Sequence, residues 1–166
     1  MDLNAEVIVS FVSKLVDLKG HHFAIGKPLA AAIVKWATAL PLSKGALYTG
    51  LLLATMSTYE SGNRVHARGD GGRSYCALQV QNCGGYPCAE LLKDADKCVE
   101  AALKIMHRSE ENCPSDPIAM YASGKCPGKG ESEKNNRAVW ISVDRSKKMQ
   151  EAFSQVADEG ARALAE

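Results

Sequence analysis

The chain has 166 residues, 46% of them hydrophobic and 23% charged, which fits one globular domain with a core of its own and leaves little room for two. A net charge of +1 provides no basic field of the kind that gathers nucleic acid. The long apolar stretches are interrupted by Lys, Thr or Gly short of a bilayer's thickness, so neither a nucleic-acid partner nor a membrane span is expected.

Residues 4–18 place Val7, Ile8, Phe11, Val12, Leu15 and Val16 on one face at helical spacing, and Gly20 predicts the stop. The opening, Met1-Asp-Leu-Asn-Ala-Glu6, is acidic where a secretory signal starts with positive charge. The expectation is a leader already removed or export by another route. His21 and His22 follow in a turn and read as solvated, because no further metal ligand lies near them in sequence. Pro28 suits the first turn of a second helix over 28–40, and Pro41 ends it. Ser43 predicts the cap of a third helix over 44–60, with Gly62 as its stop.

Residues 61–75 are polar and glycine-rich and predict a loop or a short irregular strand region. The run 76–81, Cys-Ala-Leu-Gln-Val-Gln, is too short for periodicity to choose between helix and strand. Helical spacing returns over 88–108, then over 118–122 beyond Pro114 and Pro117. Residues 124–137 are rich in Gly, Lys and Glu and read as mobile, and 142–165 form a last amphipathic helix with Met149, Phe153 and Val156 inward. The fold class is mainly α, with at most a small β region around residues 63–87. One domain is expected to span 1–166: N-terminal helices to 43, a core over 44–124, and a loop and final helix beyond.

Six cysteines, Cys76, Cys83, Cys88, Cys98, Cys113 and Cys126, all fall in the second half. An even number at this density favours disulfides and an oxidising compartment, with 15 possible connectivities for six cysteines. Cys83 and Cys88, around Gly84-Gly85-Tyr86-Pro87, are spaced to clip a small loop. Free buried thiols are the next alternative and zinc the weakest, because no Cys-x-x-Cys pair is present and His66 and His107 are the only nearby imidazoles.

Glu60 is the residue most suggestive of chemistry. It closes the apolar run Gly45 to Tyr59 and is followed by Ser61-Gly62. A carboxyl at the end of a hydrophobic helix sits half out of water, which disfavours its charged form and raises its pKa. A carboxylic acid still protonated near neutral pH can donate to the leaving oxygen of a glycoside.

Downstream of Glu60-Ser61 come Gly69-Asp70, then Cys76-Ala77-Leu78-Gln79 with Val80-Gln81, and later Tyr121-Ala122-Ser123-Gly124. This order resembles the lysozyme-like superfamily, and within it the soluble lytic transglycosylases and goose-type lysozymes. Those families carry a Glu-Ser pair at a helix end, a Gly-Leu-Met-Gln-like segment and a Tyr-Asn-Ala-Gly-like motif. The resemblance covers residues 46–124 and implies a lysozyme-like domain. It implies Glu60 as catalytic acid for the β-1,4 bond between N-acetylmuramic acid and N-acetylglucosamine, with the peptidoglycan glycan strand as partner. Two products are open. In a transglycosylase the sugar's own C6 hydroxyl closes onto C1 and one carboxyl suffices. In a lysozyme a second carboxylate activates water. Asp70 is the candidate for that second role, while Gln81 stands where the goose-type family has another aspartate, and an amide cannot take a proton at neutral pH.

The resemblance further implies that Gln79 lines the cleft, that Tyr121 reaches back to Glu60, and that Ser61 supports the Glu60 backbone or carboxyl. Tyr75 is a candidate for stacking on a sugar ring, and Arg64, Arg68 and Arg73 for answering substrate carboxylates. No cofactor and no metal are implied. The expected enzyme is a monomer acting in the periplasm or at the cell wall, secreted or delivered as a phage lysis or virion protein. The alternatives are a catalytically silent peptidoglycan-binding or structural module of the same fold, and a chitin-cleaving enzyme.

Overall fold

The structure is a computed structural model and describes residues 2–128 and 130–163, with side chains as far as Asp158. It is mainly helical, with a small three-stranded antiparallel sheet, as the sequence predicts. Helix α1 (Ala5–Lys14) opens under a cap in which the Val7 amide donates to Asn4 Oδ1 at 2.9 Å. It ends well before residue 18. The Asp17 carboxylate accepts from the Lys19 and His21 amides, Gly20 takes φ +81°, and the chain folds back so that Val16 pairs with His22. This turn outcompetes the helical spacing of Leu15 and Val16. The His22 ring reaches the Ser13 carbonyl at 2.7 Å, so that histidine secures the fold-back.

Helix α2 (Lys27–Ala39) carries Pro28 in its first turn, where a missing N–H costs nothing. Helix α3 (Gly45–Ser61) is the axle of the molecule. Ten consecutive residues, Thr49–Thr58, are buried, so the helix is enclosed on every side rather than amphipathic. Ser43 does not cap it. The Ser43 hydroxyl instead donates to Glu110 at 2.5 Å, and Lys44 occupies the cap position with no side-chain bond. Helices α1 and α2 pack against α3.

The sheet follows. Strands β1 (Arg68–Gly69), β2 (Ser74–Tyr75) and β3 (Val80–Gln81) lie in that order, with Arg68 opposite Tyr75 and Tyr75 opposite Val80. The ambiguous 76–81 run is thus a turn entering a strand. A 3₁₀ turn at Asn82–Gly85 packs on the helix that carries Ala101 so closely that a β-carbon on Gly84 (φ +56°) would stand 2.9 Å from Ala101 Cβ.

The helix predicted over 88–108 is two pieces, α4 (Cys88–Leu91) and α5 (Ala95–Asn112). Asp94 divides them, because its carboxylate accepts from the Asp96 and Lys97 amides as a helix cap. Asp116 likewise caps α6 (Pro117–Ser123). Helix α7 (Arg137–Ala163) begins earlier than residue 142, where Asn136 Oδ1 accepts from the Ala138 amide at 2.9 Å. The last predicted helical positions, 164–165, lie outside the described residues. The segment over 124–137 is tied at several points: Glu131 accepts from the Gly128 amide and the Asn136 side chain, and Cys126 is cross-linked to Cys113.

All six cysteines form disulfides, Cys76–Cys98, Cys83–Cys88 and Cys113–Cys126. The three bonds are compatible with an oxidising compartment. Among the described residues no helix is long and apolar enough to cross a membrane, and no cluster of three or more His, Cys, Asp or Glu is placed to hold a metal ion.

Candidate active site

The end of α3 is fixed by two consecutive residues in left-handed geometry, Gly62 at φ +64° and Asn63 at φ +62°. Their amides return to the Thr58 and Ser57 carbonyls at 2.8 and 3.2 Å and close the helix. The Asn63 side chain is only 9% exposed. It accepts from Ser57 Oγ at 2.5 Å and donates to the Ala24 carbonyl at 2.9 Å and to Thr58 Oγ1 at 3.1 Å. One buried amide therefore locks the last turn of α3 to the segment leading into α2. Asn63→Ala is expected to lower stability by about 1–3 kcal/mol, since it strands buried partners. Thermal unfolding at neutral pH measures this, and an unchanged midpoint would refute the role.

Glu60 sits on that locked turn. It lines a cleft of about 620 Å³ whose walls include Phe23, Tyr59, Trp140, Arg145 and Lys148. Burial, the largest influence, pushes its carboxyl above the ordinary value. The Arg145 guanidinium opposes this, the Asp70 carboxylate adds to it, and Arg137 opposes it more weakly. The outcome is a carboxyl biased toward its neutral form beside open space.

The cleft's aromatic wall is held rigidly. Tyr59 donates its hydroxyl to the Val16 carbonyl at 3.0 Å and meets Phe23 edge-on, with ring centres 5.5 Å apart. Arg145 and Lys148 lie against the Tyr59 ring at 4.5 and 4.2 Å, and both bond Asp144, at 2.6 and 3.0 Å. Trp140 is 47% exposed although it is the largest side-chain type, and Leu18 stands wholly exposed on the same wall. A half-exposed indole offers an apolar face to whatever enters the cleft. Were the cleft to take a glycan, as the resemblance implies, Trp140→Ala would weaken its binding about tenfold, the equivalent of about 1.4 kcal/mol, with little effect on stability. Calorimetry with soluble glycan fragments measures it, and undiminished affinity would remove Trp140 from the site.

The other expected site residues divide. Asp70 occupies the β1–β2 turn at φ +51°, close enough for its charge to raise Glu60, and its carboxylate accepts from Ser74 Oγ at 2.5 Å. Tyr121 is also beside Glu60: burial first, then the Glu60 charge, raises its phenol. Its hydroxyl, however, donates to the Leu78 carbonyl at 2.9 Å rather than reaching for the Glu60 carboxyl. Ser61 is 5% exposed, and its hydroxyl donates to the Ala77 carbonyl at 2.8 Å, joining α3 to the sheet region instead of supporting the carboxyl.

Gln79, at φ +52°, turns its amide inward to donate to the Cys76 carbonyl at 2.9 Å. It lies so close to Gly69 that a β-carbon there would fall 2.0 Å from Gln79 Oε1, and the Gln79 side chain would have to swing away. Tyr75 has the Arg68 guanidinium 5.9 Å from its ring centre, and Gln81 is exposed on β3. Of the expected site residues, the cleft wall includes Glu60 and Ser61; Asp70, Tyr75, Gln79, Gln81 and Tyr121 are not part of it. Arg64 also belongs to the wall and donates its Nε–H to the Ser61 carbonyl at 2.8 Å.

Sequence reasoning did not select Tyr59, Trp140, Arg145 or Lys148. The last three sit on α7, far from Glu60 in sequence, and Trp140 preceded the predicted start of that helix. An indole at the polar opening of a helix was the one available signal.

A larger groove, about 780 Å³, runs between α2 and the α4–α5 region. Its three acids are engaged, Asp96 with Lys35 at 2.8 Å, Glu90 with Lys97, and Asp94 with the Asp96 and Lys97 amides at the start of α5. Comparison of the chain with protein-family models, with curated proteins and with solved structures finds no match.

Proposed function

We propose that this protein is a peptidoglycan-cleaving glycosidase, a lytic transglycosylase or lysozyme, that breaks the β-1,4 bond between N-acetylmuramic acid and N-acetylglucosamine. The observation that carries the reading is Glu60, a carboxyl raised by burial at the rigid end of α3, facing a cleft with a half-exposed indole. The Glu60, Asp70 and Tyr121 positions of the resemblance also meet in one electrostatic neighbourhood.

Glu60 protonates the glycosidic oxygen as an oxocarbenium-like sugar develops. The carboxylate left behind then accepts a proton from the attacking hydroxyl. In the anhydro route that hydroxyl is the sugar's own C6 group, and no second carboxylate takes part. Asp70 is bound by Ser74 and Gln81 is an amide, which favours this route. Hydrolysis would instead give Asp70 the task of activating water. The disulfides suit work in the periplasm or at the wall, by secretion or by phage delivery.

The test compares purified peptidoglycan with N-acetylglucosamine hexamers. Soluble fragments are expected from peptidoglycan and not from the hexamers. Binding to the wall without release of fragments would mark a silent module, and cleavage of the hexamers alone would mark a chitin-degrading enzyme.

A further inference from the structure

Arg145 is more than nine-tenths buried (9% exposed), an unusual place for a guanidinium. One of its terminal nitrogens holds Asp144 at 2.6 Å and its guanidinium carbon stands 4.5 Å from the centre of the Tyr59 ring, yet its Nε–H is buried with no acceptor among the described residues. Buried donors are nearly always satisfied, so an orphan on a permanent cation calls for a partner in another state of the molecule. The same side chain lines the cleft that holds Glu60, and it is braced there from below by Tyr59, the residue preceding Glu60.

We infer that Arg145 is the positioning residue for the ionised acid between the two proton transfers: its guanidinium receives the Glu60 carboxylate once the acid has given up its proton. This rests on the glycosidase reading. A two-step acid and base must be neutral at first and ionised later, inside the same half-buried pocket. Burial alone would hold Glu60 protonated and resist the first proton transfer, because it leaves the carboxylate without compensation. A fixed cation with an unused donor stabilises the ionised form without having to move into place. The charged groups acting on Glu60 are Arg145 and Arg137 from α7 and Asp70 from the β1–β2 turn; Glu60 in turn raises Tyr121 of α6, Arg64 and Lys148 line the same cleft, and Asp144 lies beside Arg145. Arg145 is the strongest of the cations, and Asp70 opposes it.

The experiment is a titration of the Glu60 side-chain carboxyl by ¹³C NMR in the full chain, with E60Q to assign the signal, alongside the pH profile of peptidoglycan cleavage. In R145M, which keeps length and loses charge, the Glu60 pKa is expected to rise by about one unit or more. The value of kcat should fall with KM little changed, and R145K should recover most of the titration shift. D144N, which leaves Arg145 and Lys148 uncompensated, should move Glu60 the opposite way. A Glu60 titration in R145M identical to the wild type overturns the inference. If R145M does not fold, an unmoved Glu60 in D144N overturns it instead. A wild type that cleaves nothing while Glu60 shifts in R145M supports the pairing and refutes the glycosidase reading. Cleavage by the wild type with Glu60 unmoved does the reverse.

Discussion

Replacing Glu60 by glutamine should reduce glycan cleavage by about 10²–10⁴-fold, the usual contribution of a positioned acid and base, while leaving the protein folded. The amide matches the carboxyl in shape and cannot donate an acidic proton. The stability comparison is as informative as the rate. Because the folded-state pKa of Glu60 is raised, the native protein holds its proton more tightly than the unfolded chain does. Below the ordinary carboxyl range both states are protonated and Glu60 costs nothing. As pH rises through the window between its ordinary value of 4.5 and its raised one, the unfolded chain ionises first and native stability falls. Above that window the cost is fully present. E60Q escapes it, so its thermal midpoint should equal the wild type at acid pH and exceed it at neutral pH. A core glutamate with a structural role would show the opposite, a variant less stable at neutral pH.

Removing the Cys76–Cys98 disulfide by paired alanine substitution should cost about 3 kcal/mol and lower the thermal midpoint by about 10 °C. The bond spans a sequence separation of 22 and joins the end of β2 to α5, with both sulfur-bearing residues fully buried. Activity should suffer as well as stability. Cys76 holds the Gln79 amide through its carbonyl, and the neighbouring Ala77 carbonyl receives the Ser61 hydroxyl directly behind Glu60. Loosening this segment loosens the floor under the acid. The Cys83–Cys88 pair spans a separation of 5 and should contribute less on chain-entropy grounds. Calorimetric scans of the two double variants decide the order, and an unchanged midpoint without Cys76–Cys98 would contradict this account.

What the sequence made legible was local. The apolar run closing at Glu60 marked a buried helix because every face of it is apolar, and Gly62 marked its end because left-handed geometry follows there. Pro28 and Pro41 bounded α2 for equally local reasons. Elements that depended on competition between signals were misread. The spacing of Leu15 and Val16 supports a longer α1, but one aspartate capturing two amides makes the turn at Asp17. The Asp94 cap divides a continuous apolar pattern in the same way.

Of the residues that line the cleft, the sequence reading named Glu60, Ser61 and Arg64. Gln79 and Ser61 are polar residues that a motif reading sends toward substrate. In three dimensions their side chains satisfy the Cys76 and Ala77 carbonyls, an internal demand that no spacing rule exposes. The rest of the wall includes Trp140, Arg145 and Lys148 of α7, which tertiary packing alone brings to the cleft that Glu60 lines.

The most direct measurement is mass spectrometry of the chain ends released from purified peptidoglycan by the wild type and by E60Q. This account predicts new N-acetylmuramyl ends from the wild type, in the 1,6-anhydro form about 18 Da lighter than the hydrated one through absence of water in the closing step, and none from E60Q. The same muramyl ends from E60Q, or new ends confined to N-acetylglucosamine or to the peptide, would contradict it.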